Sequence, residues 1–229
     1  MDFDGDGQAD IISGSYHPGD LYLFRGTSNG TFEPAEIIKD ATGKNVNVGA
    51  AAAVFAADFG NTGLLDVVVG NIDGKLFLIR HRGTRDTPAF DLPMVLTADG
   101  KPIKLAGDAG PTVADWNGDG KLDLIVGDGS GEVRLFINRS SDRTPDFGTA
   151  EVLVARTSQS YTVPAKPDAP SPGMRAKPMV ADFHGDGRLD LLVGDFSYSS
   201  NAEPEPQVAA TPATQPADAQ QRLRTALAT

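Results

Sequence analysis

The chain has 229 residues, with 20 Lys and Arg against 31 Asp and Glu, and its net charge of −11 argues against nucleic acid or an anionic membrane surface as partner. It has no Cys, which leaves the redox compartment unread, and no stretch long and apolar enough to cross a bilayer. With 40% hydrophobic residues, 26 Gly and 16 Pro, it has enough apolar content for a core and so much punctuation that many short strands are expected rather than long helices.

In chain order, the first element is the loop Asp2-Phe3-Asp4-Gly5-Asp6-Gly7-Gln8-Ala9-Asp10. It follows Met1 directly, with no strand and no signal peptide before it, as expected of a chain whose natural N-terminus has been lost or miscalled. A strand over 20–25, Phe32 and Glu36-Ile37-Ile38 complete a first unit near 1–49. The second, near 50–108, repeats the order with a worn loop Asp58-Phe59-Gly60-Asn61-Thr62-Gly63-Leu64-Leu65-Asp66, a strand over 74–80, Phe90 and Met94-Val95-Leu96. The third, near 109–176, has the loop Asp115-Trp116-Asn117-Gly118-Asp119-Gly120-Lys121-Leu122-Asp123, a strand over 131–138, Phe147 and Val152-Leu153-Val154. The fourth, near 177–198, opens with Asp182-Phe183-His184-Gly185-Asp186-Gly187-Arg188-Leu189-Asp190 and never receives a counterpart of the strand carrying Val133, Leu135 and Phe136.

Successive loops start 56, 57 and 67 residues apart, a repeat period with room for about four strands per unit. The longest interval contains the proline-rich stretch 163–172, expected to be an exposed loop. Residues 199–229 read as a low-complexity, disordered linker with a possible short helix from Asp218.

The loops share the pattern D-x-[DN]-x-[DN]-G-x-x-D. Oxygen side chains at alternate positions of a tight turn converge on one point, and a thiolate-free, carboxylate-rich set selects a hard cation, Ca²⁺ above all. The expected ligands are Asp2, Asp4, Asp6, Gln8 and Asp10 in the first loop; Asp115, Asn117, Asp119, Lys121 and Asp123 in the third; and Asp182, Asp186, Arg188 and Asp190 in the fourth. Gln8, Lys121 and Arg188 stand at the position served by a backbone carbonyl. An EF-hand begins the same way but closes with Glu at position 12 and runs into a helix; here the last ligand is at position 9 and buried-strand sequence follows, such as Val67-Val68-Val69-Gly70 and Leu124-Ile125-Val126-Gly127. The bland reading is a set of Asp-Gly turns joining hairpins. The second loop, with Gly60 and Thr62 at two ligand positions, is expected to hold no ion, and His184 to face solvent. The sequence order predicts the tightest site at Asp115, then Asp2, then Asp182.

These repeats resemble the FG-GAP or VCBS class found in integrin α-subunit propellers and many secreted bacterial proteins. The resemblance covers residues 1 to about 196 and rests on the nine-residue loop and the trailing [LV]-[LIV]-V-G. It implies an all-β fold of β-propeller blades, each of four antiparallel strands, with Ca²⁺ in the loops; complete propellers of the class commonly have seven blades, so about three blades in an open arc are expected here.

No H-E-x-x-H, phosphate loop or cysteine nucleophile is present, so no catalytic residue is assigned and no enzyme is expected. His17 and His81 are read as surface histidines. The expected function is a noncatalytic, calcium-stabilised scaffold or adhesion surface of an extracytoplasmic protein. A glycan-binding lectin and the propeller portion of a secreted polysaccharide-degrading enzyme are the alternatives. A protein or glycan ligand, the remaining blades of a parent propeller, or self-association through open strand edges are the expected partners.

Overall fold

The computed structural model describes residues 1–85, 87–140, 142–157 and 173–197. Two compact units divide the chain, Met1–Tyr198 and Ser199–Thr229; the second, with its expected helix, and the whole of the proline-rich stretch 163–172 lie outside the described residues.

The described residues form an open set of propeller blades, all-β and without helix. The first sheet has three strands, β1 (Ile11–Gly14), β2 (Leu21–Phe24) and β3 (Glu36–Ile37). The second has four, β4 (Ala53–Ala57), β5 (Asp66–Gly70), β6 (Leu76–Ile79) and β7 (Met94–Val95). A small ribbon, β8 (Thr97–Ala98) and β9 (Lys101–Pro102), follows. The third blade is again four-stranded, with β10 (Gly110–Ala114), β11 (Asp123–Gly127), β12 (Val133–Phe136) and β13 (Glu151–Val154). The last sheet holds β14 (Met174–Ala181) and β15 (Asp190–Phe196). Every sheet is an antiparallel meander in chain order.

Blades stack face to face, which explains the sequence of their second strands. A strand covered on both faces has no solvent side to alternate with, so its residues run continuously apolar. Val67, Val68 and Val69 of β5 and Leu124, Ile125 and Val126 of β11 are all fully buried; each such side chain adds about 1.5–3 kcal/mol on burial. Three apolar clusters fill the gaps between successive blades, around Leu21, Val67 and Phe90, around Leu76, Leu124 and Phe147, and around Ile125, Val133 and Ala176.

The glycine that ends each of these strands lets backbones meet. A Cβ on Gly14, Gly70 or Gly127 would lie 2.2, 2.3 or 2.2 Å from the carbonyl oxygen of Ala52, Ala109 or Ala176 in the next blade, so any side chain would push the blades apart. The residue before each of those alanines, Ala51, Asp108 or Arg175, has a positive φ. The turn into the inner strand is thus the same in all three.

Candidate metal centre

Three of the nine-residue loops join the first two strands of a blade, β4 to β5, β10 to β11 and β14 to β15; the first runs directly into β1. Their backbones are alike. Position 4 is left-handed in every copy, at Gly5, Asn61, Gly118 and Gly185, and so is position 6, at Gly7, Gly63, Gly120 and Gly187. The Asp at position 1 accepts a hydrogen bond from the amide at position 6 each time: Asp2 from Gly7 at 3.1 Å, Asp58 from Gly63 at 2.6 Å, Asp115 from Gly120 at 2.9 Å and Asp182 from Gly187 at 2.9 Å. The worn second loop therefore keeps the shape of the others.

The position 9 carboxylate ties the loop to the blade. Asp10 accepts from Phe3 N and Gly26 N, both at 2.7 Å, and Asp123 from Trp116 N at 3.0 Å and Asn138 N at 2.8 Å. Each bridges the start of its own loop to a residue two positions past β2 or β12. Asp66 accepts from the equivalent amide, His81 N at 2.8 Å. Burial raises the pKa of Asp66 and of Asp123, against the opposing hydrogen bonds; a bound cation would reverse that sign.

In the first loop, one carboxylate oxygen each of Asp2, Asp4 and Asp10 lie within 4.8 Å of one another. Two oxygens on opposite sides of an ion bound at about 2.4 Å are about 4.8 Å apart, so this set fits Ca²⁺. Asp6 is turned to the amide of Gln8 at 2.7 Å, and Gln8 is half-buried. Arg25, just beyond β2, pairs with Asp4 and with Glu36, placing a fixed positive charge beside the triad.

The other loops are drawn onto their own backbones. Asp115 and Asn117 both accept from Asp119 N, at 2.9 and 3.0 Å. Asp119 accepts from Lys121 N at 3.0 Å and lies 3.4 Å from Lys121 Nζ. In the fourth loop Asp182 accepts from Asp186 N and Asp186 from Arg188 N, both at 3.0 Å. His184 is exposed, as expected, yet does not simply face solvent: its Nδ1 lies 2.9 Å from Asp190, whose pKa it lowers by hydrogen bonding.

One expectation is overturned outright. His81 is fully buried, stacked between Phe3 and Phe90 with ring centroids 5.6 and 5.0 Å away. Only its neighbours in space reveal this, because Phe3 comes from the first blade. Sequence reasoning also passed over three arginines: Arg25; Arg85, whose Nε donates to Gly63 O at 3.1 Å and which packs on Gly5; and Arg143. A partial signal existed, since the third strand is followed by Arg85-Asp86-Thr87-Pro88 in one unit and Asp142-Arg143-Thr144-Pro145 in the next.

Three overlapping stretches, 2–69, 58–126 and 115–193, match the FG-GAP-like repeat family. No curated protein matches the chain. Among solved structures, a Photorhabdus luminescens Tc holotoxin pore carrying the mutation TccC3-D651A is similar, at 20% identity and a TM-score of 0.47 over 82% of this chain. The match spans only 8% of that toxin chain. Carried by the nine-residue loops and the blades that they begin, the chain belongs to the FG-GAP-like repeat family.

Proposed function

We propose that the chain is a noncatalytic, calcium-binding propeller segment that serves as scaffold or interaction surface in an extracytoplasmic protein. The convergence of Asp2, Asp4 and Asp10 carries this reading. Three carboxylates within one coordination sphere repel one another, by about 4 kcal/mol for a pair ~4 Å apart at an effective dielectric of 20, and a divalent cation turns that repulsion into attraction. Loops of this openness fill at the ~10⁻⁴ to 10⁻³ M calcium met outside cells, which supports the extracytoplasmic assignment. The carboxylates are engaged with loop amides rather than arranged as a separated acid and base, which favours a structural over a hydrolytic role.

The disposition of aromatics favours a scaffold over a lectin. A sugar site repeated between blades needs an exposed ring at one place in each; Phe90 and Phe147 are buried while their counterpart Phe32 is exposed, and Phe3 and Phe59 are buried while Phe183 is exposed. Exposure thus follows position in the arc.

Isothermal calorimetry with Ca²⁺ tests the proposal. The intact chain should bind calcium, and Asp4→Ala and Asp119→Ala should each remove one ion without loss of the β-sheet circular dichroism signal. Absence of any calcium binding at 1–5 mM, about the top of the range for extracellular modules, would reject it.

A further inference from the structure

The second loop keeps the backbone of a cation loop without its ligands, and another part of the chain has moved in. Arg143, in the segment after β12 of the third blade, lies directly over Gly60, the third position of that loop: a Cβ on Gly60 would be 2.1 Å from Arg143 Cγ and 2.8 Å from its Cδ. Its guanidinium reaches past this point to the ninth position, donating to Asp66 Oδ1 at 3.1 Å and to the carbonyl of His81 at 2.9 Å. Asp66 is fully buried, and its Oδ2 has no hydrogen-bond partner among the described residues.

We propose that Arg143 is the resident cation of the second loop, a guanidinium supplied by the third blade where the other loops are built to take a divalent ion. Three features of the loop itself agree. A buried carboxylate needs a nearby positive charge, and here the charge arrives covalently tethered, 77 residues away in sequence. The loss of the third ligand is coupled to that arrival, because no residue with a side chain fits at position 60 while Arg143 occupies the space. Thr62, at the fifth position, has turned its hydroxyl to Asp58 at 3.3 Å. The loop and the arginine together make a clasp between the second and third blades that needs no calcium.

The inference rests on reading the sister loops as cation sites, so its test has a part that does not. In EDTA, Arg143→Ala should lower the melting temperature by at least about 5 °C, from the loss of a buried carboxylate's partner; an unchanged melting temperature overturns the clasp whether or not any loop binds calcium. The second part restores the ligands. Gly60→Asp/Thr62→Asp/Arg143→Ala should bind one calcium ion more than the intact chain in equilibrium dialysis and regain stability as calcium is added, whereas Gly60→Asp/Thr62→Asp with Arg143 kept should gain none. A gain in the variant that keeps Arg143, no gain in a folded triple variant, or the loss of a calcium ion on Asp58→Ala in the otherwise intact chain would each refute it.

Discussion

The third blade and the last sheet carry nearly the same sequence and hold it differently. Asp123-Leu124-Ile125-Val126-Gly127 is buried throughout, while Asp190-Leu191-Leu192-Val193-Gly194 is half-buried at its start and exposed at its end. Trp116 is half-buried in its loop, and Phe183 at the same position is 70% exposed. Gly127 is in backbone contact with Ala176 of the following blade; a Cβ on Gly194 would meet nothing nearer than a carbonyl 3.8 Å away in its own sheet. The local sequence builds the loop and the strand, and the following blade makes the strand a core. The last sheet, with no following blade among the described residues, is a hairpin with an exposed apolar face.

The comparison can be broken most sharply at the ninth loop position. Asp123→Ala leaves two backbone amides, those of Trp116 and the buried Asn138, without an acceptor, and should cost about 2–4 kcal/mol in urea unfolding. Asp190→Ala removes contacts at a more exposed site and should shift the same midpoint far less; equal losses would show that the last sheet is as tightly held as the third blade. A smaller difference is expected for matched valines. Val126→Ala opens a cavity in a fully buried strand, worth about 2 kcal/mol, whereas Val193→Ala, at a position 36% exposed, should stay within about 0.5 kcal/mol.

The mildest effect probes the joint between these two regions. Asp108 precedes β10, and β14 sends Arg175 and Lys177 to its carboxylate. Burial alone would raise the pKa of Asp108, but the Arg175 hydrogen bond and the Lys177 charge outweigh it and hold the value below 3.8. An acid whose pKa is depressed on folding adds stability that is present above the unfolded value and lost as pH falls through the folded one. Lowering the pH below about 3.8 should therefore progressively weaken this joint, and the stability of Asp108→Asn should fall less steeply over that window in pH-dependent unfolding. Identical acid limbs in the two proteins would remove Asp108 from the account.

Much of this architecture could be read from local pattern. The apolar strands that follow the four loops and the equivalent strands within residues 20–25, 74–80 and 131–138 all appear in the expected order. The Asp99-Gly100 turn between β8 and β9, with both residues at positive φ, carries as clear a local hairpin signal as any in the chain. His81 was not legible. A lone histidine past a strand says nothing of the two rings that enclose it, one of them 78 residues earlier in the chain.

What the sequence by itself determined is what depends on near neighbours along the chain: glycine or asparagine at the left-handed positions of the four loops, oxygen side chains at alternate loop positions, and continuous apolar runs long enough for one strand. What only the tertiary structure decided is what stands across each gap. Gly60 reads as a ligand lost until Arg143 is found lying on it, and Val126 and Val193 read alike until one is seen to have a blade on its outer face. Burial and charge pairing are set by groups within a few ångströms in space, and in a stack of blades many of those groups come from a neighbouring repeat.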